Sequence, residues 1–213
     1  MPALSVPPAQ VHPLPPSLMQ WNTAQAAQGD YFDQVKSTAV GGLIWTHWPV
    51  KVYVVPSSTP GLPPERWSAA IAQAVQDWQP YLPLALTTTG AEADISISPV
   101  PPQGRSGNRV RSAETRYELY VDAQQTLAHR ISIYIRPSQT PQYLTAAARH
   151  ELGHALGIWG HSPNPNDTMY FAQVRQPPAI SVRDINTLKR VYEQPTQLGW
   201  PLKPNPESTP AQG

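Results

Sequence analysis

The residues with the clearest chemistry lie in one short segment, HELGHALGIWGH, which covers residues 150–161. His150 and His154 are four residues apart, so on a helix their side chains lie one above the other on the same face. Together with His161 they form a set of nitrogen donors that can hold Zn²⁺ at about 2.0–2.1 Å. Three protein ligands leave the fourth position of a tetrahedral ion to water, which is typical of a catalytic zinc site.

Glu151 is rotated away from the line of the two histidines, so it can face a water on the metal and take its proton during peptide hydrolysis. Gly157 can adopt a left-handed conformation at low cost, which ends the helix and returns the chain toward the metal as His161 arrives. The segment therefore predicts a catalytic zinc site with its own base. The alternative is a zinc-binding module without turnover, which is structural or binds a partner. An intact Glu151 argues against it, because a structural site has no use for a base.

These residues resemble the elongated zinc motif of the metzincin metallopeptidases. Ser162 directly after the third histidine, and Met169 followed by Tyr170, most resemble the matrixin branch, whose type is the catalytic domain of matrix metalloproteinases. In that family a methionine in a tight turn packs beneath the histidines, and Met169 follows the turn-forming residues 166–168. The chain has no cysteine, so the resemblance is to a bacterial type without the thiol that many matrixins use to cap the zinc.

The resemblance implies a zinc-dependent endopeptidase that cleaves a protein or peptide substrate by means of a water on the metal, activated by Glu151. The family binds its substrate extended and antiparallel to an edge strand, which would lie within residues 116–122. Tyr170 and Phe171 are expected at the specificity pocket. Phe171 stands where the family usually has a proline and Gln173 where it has a second tyrosine, so no family preference for a side chain is carried over.

One catalytic Zn²⁺ is the expected cofactor. Residues 99–115 contain no histidine and one acidic residue, Glu114, which does not suit a second zinc, and calcium is left open. His47 and His129 are expected to be surface or hydrogen-bonded residues rather than ligands. Arg149 is expected on the outer face of the zinc helix. Without a thiol, a carboxylate upstream of the first strand, Asp30 or Asp33, is one hypothesis for a group that keeps the metal latent.

The elements that must position the site follow from hydrophobic patterns. Alternating residues predict a first strand over 43–55, and Trp67, Ile71, Val75 and Trp78 predict an amphipathic helix that ends at Pro80. Further strands are predicted at 84–88, 93–98, 117–121 and 130–135. The zinc helix is predicted over 145–156, with Thr140 as a candidate cap, and a last helix begins at Ser181 with Asp184 in a capping box.

This order predicts an α+β fold of the zincin type. Its twisted, mostly parallel sheet has one antiparallel edge strand and packs on the zinc helix and one long helix, with the C-terminal helix below the site. Proline-rich composition marks residues 1–34 as an extension or linker and 196–213 as a tail, leaving 35–195 as the peptidase domain. PLPPSL at 13–18 fits a spacer better than a polyproline ligand.

Charge and hydropathy limit the partners. The net charge of +1 does not suggest nucleic acid, and no apolar run is long enough to cross a membrane. A monomer is expected. No signal peptide is visible at the N-terminus, but the family resemblance implies a location outside the cytoplasm, in the cell envelope or secreted.

Overall fold

A mixed five-stranded sheet lies at the centre of the computed structural model, which describes residues 4–22, 25, 27–103, 105–106 and 109–204. The strands are β1 (Val50–Val54), β2 (Leu84–Thr87), β3 (Ile95–Ser98), β4 (Ala113–Val121) and β5 (Leu127–Ile135). They lie in the order β2-β1-β3-β5-β4. The first three pairings are parallel, whereas β4 runs antiparallel to β5 at one edge. The predicted α+β fold with an antiparallel edge strand is therefore confirmed.

The three main helices are α1 (Pro64–Trp78), α2 (Pro141–Ala155) and α3 (Val182–Tyr192). A proline in the first turn begins α1 and α2, where its missing N–H is not needed. Ser181 caps α3 through the predicted capping box with Asp184. Within the described residues no helix is both long and apolar enough to span a bilayer.

Several short elements complete the described chain. Single helical turns are formed by Pro16–Met19, Phe32–Gln34 and Gly90–Glu92. Two-residue strands pair Leu4–Ser5 with Lys203–Pro204 and Arg105–Ser106 with Arg109–Val110.

The core forms where α2 packs against α1 and against β4 and β5. The predicted stripe of α1 is buried along its whole length, and Trp78 donates from Nε1 to the carbonyl of Arg149 in α2 at 2.9 Å. On the sheet, alternate residues of β5 turn inward, and Ile131 and Ile133 are buried. Each such side chain contributes about 1.5–3 kcal/mol by leaving water. The two helices and the sheet thus hold α2 in a fixed position.

Some predicted boundaries are wrong. The strand predicted over 43–55 begins only at Val50, because Pro49 has no N–H to donate to a ladder. Trp45 is buried instead by packing, with Nε1 bonded to the carbonyl of Ala155 at 2.9 Å. Strand β4 begins four residues before the predicted position, because residues 113–116 contain no large apolar side chain and so show no hydrophobic alternation. Helix α2 begins at Pro141, and Thr140 precedes it without a side-chain capping bond.

The N-terminal segment is packed on the domain, which its proline content did not predict. Leu18 is 0% exposed, and the hydroxyl of Ser17 donates to the carbonyl of Tyr81 at 2.5 Å. Gln10 exchanges two backbone hydrogen bonds of 2.9 Å with Thr196 in the C-terminal segment. A few well-placed contacts hold this segment, so the interpretation of 13–18 as a free spacer or polyproline ligand is wrong. The domain limits at 34 and 195 stay a prediction.

Candidate metal centre and cleft

Three histidines converge beside the C-terminal half of α2. His150 and His154 are one turn apart on this helix, and His161 returns to them from the loop that follows. One nitrogen from each ring lies within 4.8 Å of the other two, so the three could hold one metal ion. The structure therefore brings together the three ligands that the sequence predicts.

Hydrogen bonds to carbonyl groups fix two of these rings. Nδ1 of His150 lies 2.9 Å from the carbonyl oxygen of Thr168, and Nδ1 of His154 lies 2.7 Å from that of Ile158. A carbonyl can only accept, so each Nδ1 carries the proton and each Nε2 keeps a free lone pair. This arrangement suits zinc, which binds neutral imidazole.

The electrostatic surroundings also favour neutral rings. Burial, followed by the neighbouring rings of His150 and His161, lowers the pKa of His154 well below its usual value. Partial burial, followed by His150 and Lys36, lowers the pKa of His161 to about 4. A ring that stays neutral at neutral pH is ready to bind a metal without first losing a proton.

Gly157 makes the turn that the sequence predicts. Its φ is +126°, which side chains with a Cβ rarely adopt. An added Cβ would also lie 3.0 Å from the carbonyl oxygen of Leu43 and 3.2 Å from Cγ1 of Val191. The helix ends here, and the chain turns back toward the other two histidines.

Met169 lies beneath the zinc helix and is completely buried. Its sulfur occupies the space that a Cβ on Gly153 would need, so the glycine inside HELGH admits the methionine against the helix. The backbone N–H of Ser162 donates to the carbonyl of Met169 at 2.7 Å, which ties the methionine turn to the residue after the third histidine. The structure thus places Met169 where a structural support of the site is expected.

Two buried carboxylates hold the methionine turn. Asp184 accepts the N–H groups of Thr168 at 2.9 Å and Met169 at 3.3 Å, and the hydroxyl of Tyr31 at 2.5 Å. Asp167 accepts from three groups: the hydroxyl of Ser162 at 2.5 Å, the hydroxyl of Ser181 at 2.7 Å and the Nε of Arg183 at 3.1 Å. Burial raises the pKa of Asp184, whereas the hydrogen bonds that it accepts from Tyr31 and Thr168 oppose that effect. The sequence indicated Asp184 only as a helix cap and gave no signal for Tyr31.

Glu151 is 7% exposed, and it lines the cleft next to the histidines. The hydroxyl of Thr115 on β4 lies 2.6 Å from its Oε2. Burial raises the pKa of Glu151, whereas the neighbouring ring of His150 and the Thr115 hydrogen bond act in the opposite direction. Sequence reasoning missed Thr115, because the residue fell in the loop predicted before the fourth strand.

An open cleft of about 810 Å³ runs across the site. Strand β4 forms one side, residues 171–178 form the other, and α2 lies between them. The two predicted pocket residues both line it: Tyr170 contacts Phe171 with ring centroids 4.5 Å apart, and Phe171 is 64% exposed. Trp159 and Lys36 line the cleft beside His161.

The remaining predicted positions lie apart from the metal centre. His47 is hydrogen-bonded to Asp94 at 3.0 Å, as expected. His129 is not a surface residue: it is buried against Trp45 with ring centroids 4.0 Å apart, because its strand faces the core, and its Nε2 has no partner within the described chain.

Arg149 does not lie on the outer face of α2, as the sequence predicted. It is turned toward α1, where its Nε donates to Asp77 at 2.7 Å, and its Nη1 donates to the carbonyl of Pro178 at 3.0 Å. Asp30 is paired with Arg190 on α3 at 2.9 and 3.0 Å. That pairing occupies both oxygens of Asp30, which contradicts the hypothesis that this carboxylate binds the metal to keep it latent.

Comparison with protein-family models gives a match over more than half of the chain. The family model Peptidase_M10, described as matrixin, matches residues 44–193. No curated protein matches the chain significantly. The matched range contains the sheet, the three histidines and the methionine turn.

Proposed function

The chain belongs to the matrixin family, and from that premise we propose that it is a zinc-dependent endopeptidase acting on protein or peptide substrates. The observation that carries the proposal is the convergence of three imidazoles and one carboxylate in an open cleft. Zinc held by His150, His154 and His161 would polarise the scissile carbonyl and lower the pKa of the attacking water toward neutrality.

Glu151 supplies the proton transfer. Its carboxylate takes a proton from the attacking water and delivers it to the nitrogen of the leaving amine, so no covalent bond to the protein is formed. The same carboxylate therefore serves in both proton transfers.

Strand β4 provides the surface on which the substrate backbone binds. In the described sheet β4 pairs only with β5, so its outer N–H and C=O groups can bond to an extended peptide added as an antiparallel strand. The C-terminal half of such a peptide runs toward Ala113. The cleft is lined on α2 by the small side chains Ala146 and Ala147 and on the opposite wall by Val174 and Pro177. Small, apolar walls favour cleavage just before a large apolar residue.

The test compares wild type with Glu151→Ala on an unfolded protein substrate, with zinc content measured in both and fragments identified by mass spectrometry. Glu65→Ala is the control, since Glu65 lies on the first turn of α1 and is exposed. We expect wild type and Glu65→Ala to cleave alike and Glu151→Ala to be slower by a factor of about 10²–10⁴.

Equal cleavage by Glu151→Ala would contradict Glu151 as the base. If no variant cleaves although all of them contain zinc, the alternative of a zinc-binding module without turnover is favoured instead.

A further inference from the structure

Among the described residues, one side chain of the edge strand, Thr115, is hydrogen-bonded to the base of the site. In the β4–β5 ladder Thr115 is opposite Ile133, and paired residues point to the same face of a sheet. Ile133 is buried, so Thr115 also points inward, toward α2. Its hydroxyl lies 2.6 Å from Oε2 of Glu151 and 3.1 Å from the backbone carbonyl of the same residue.

A hydroxyl has one proton to donate, and the shorter distance with the charged acceptor identifies the carboxylate as its partner. Oε2 of Glu151 is therefore occupied. Among the described residues no other group donates a hydrogen bond to this carboxylate, and Glu151 lines the cleft, which leaves Oε1 available to the attacking water. The two oxygens thus have different surroundings, one held by β4 and one open to the substrate.

We propose that Thr115 is a positioning residue that fixes the orientation of the Glu151 carboxylate for hydrolysis, which rests on the function proposed above. A glutamate has three side-chain torsions, and the last of them is broad, so an unheld carboxylate samples many orientations. Thr115 restricts that freedom. Because it belongs to the strand on which the substrate binds, it also sets the distance between the base and the substrate backbone.

Two substitutions separate this role from simple packing. Thr115→Val keeps the size and the β-branch but has no hydroxyl, whereas Thr115→Ser keeps the hydroxyl and loses only a methyl group. Thr88→Val is the matched control, because Thr88 is exposed just after β2, at the opposite edge of the sheet.

We expect Thr115→Val to lower kcat by about ten- to a hundredfold with KM and zinc content close to wild type, since binding does not depend on the base. Thr115→Ser should recover most of that loss, and Thr88→Val should leave kcat unchanged. Equal losses in the valine and serine variants would overturn the positioning role, as would a valine variant with wild-type kcat. A wild type that binds zinc but does not cleave would instead overturn the proposed function, and the positioning role with it.

A second readout does not depend on activity. In the metal-free protein, thermal midpoints of wild type, Thr115→Val, Glu151→Ala and the double variant form a double-mutant cycle. We expect the valine substitution to lower the midpoint less when Glu151 is absent, because no carboxylate is then left without its donor. Additive shifts would show that the two side chains are not coupled and would overturn the inference.

Discussion

The hydroxyl of Tyr31 links the N-terminal segment to Asp184, which holds the methionine turn beneath the three histidines. Removing this hydroxyl should measurably lower the free energy of unfolding. Tyr31 is buried, and its hydroxyl donates to Oδ1 of Asp184 at 2.5 Å. Asp184 in turn holds the N–H groups of Thr168 and Met169 in the methionine turn. Tyr31→Phe removes this one hydrogen bond and keeps the ring.

The expected cost follows from the type of bond. Hydrogen bonds to charged groups contribute about 1.5–3 kcal/mol. Asp184 keeps three backbone donors after the change, because Ser181 also donates to it at 2.8 Å, so the carboxylate does not become an unpaired buried charge. We therefore expect a loss of about 2 kcal/mol in the free energy of unfolding. With an m-value of about 2 kcal/mol/M, the urea midpoint should fall by about 1 M.

The assay is urea unfolding of the metal-free protein, because bound zinc would add its own stabilisation by mass action. Tyr81→Phe serves as the control, since the Tyr81 hydroxyl has no hydrogen bond within the described chain; its change should stay within about 0.5 kcal/mol. The reasoning is refuted if Tyr31→Phe and Tyr81→Phe lower the free energy of unfolding by the same small amount. It is also refuted if Tyr31→Phe costs as much in an Asp184→Asn background as in wild type.

Three further substitutions test other contacts. In Gly160→Ala the new Cβ would overlap the backbone carbonyl of Gln34, which should separate the N-terminal segment from the loop that carries the third histidine. Zinc binding should therefore weaken at least tenfold in a chelator competition. Unchanged zinc affinity would contradict this. In Gly153→Ala the new Cβ overlaps the sulfur of Met169, which should lower the free energy of unfolding by about 1–3 kcal/mol, offset by about 1 kcal/mol from better helix propensity. Urea unfolding should show a smaller loss when Met169 is also replaced by alanine. An equal loss in both backgrounds would contradict the overlap. Burial lowers the pKa of His129 from 6.5 to about 3, so between these pH values the unfolded chain binds one more proton than the folded chain, and stability falls as the pH falls. His129→Phe should reduce the slope of the free energy of unfolding against pH by about 1.4 kcal/mol per pH unit in this range. Parallel pH profiles for wild type and His129→Phe would contradict this.

The convergence of the three histidines could be predicted from sequence because its geometry is local. The spacing of His150 and His154 fixes their relation on any helix, and Gly157 marks where the chain must turn. The same applies to the α1 stripe and to the capping box of α3, which the structure reproduces. Such features need only the periodicity of a helix and the chemistry of its ends.

The supporting contacts could not be predicted, because they join residues far apart in the chain. Thr115 and Glu151 are 36 positions apart, and Tyr31 and Asp184 are 153 apart. Whether they meet depends on strand register and on the path of the N-terminal segment, neither of which has a local signal. That segment also shows how composition misleads, because Leu18 is buried together with two of the prolines around it, Pro7 and Pro15. Arg149 was misplaced for a similar reason, since its partner Asp77 lies on another helix.

The measurement that tests the central claim most directly is reconstitution with zinc. The protein is stripped with a chelator, zinc is returned in known amounts, and cleavage of an unfolded protein is followed together with bound metal. We predict no cleavage without metal and full recovery at one equivalent, whereas Glu151→Ala binds the same equivalent and recovers at most about a hundredth of the wild-type rate. Cleavage by the stripped protein, or recovery in Glu151→Ala, would contradict a peptidase built on these three histidines and this carboxylate.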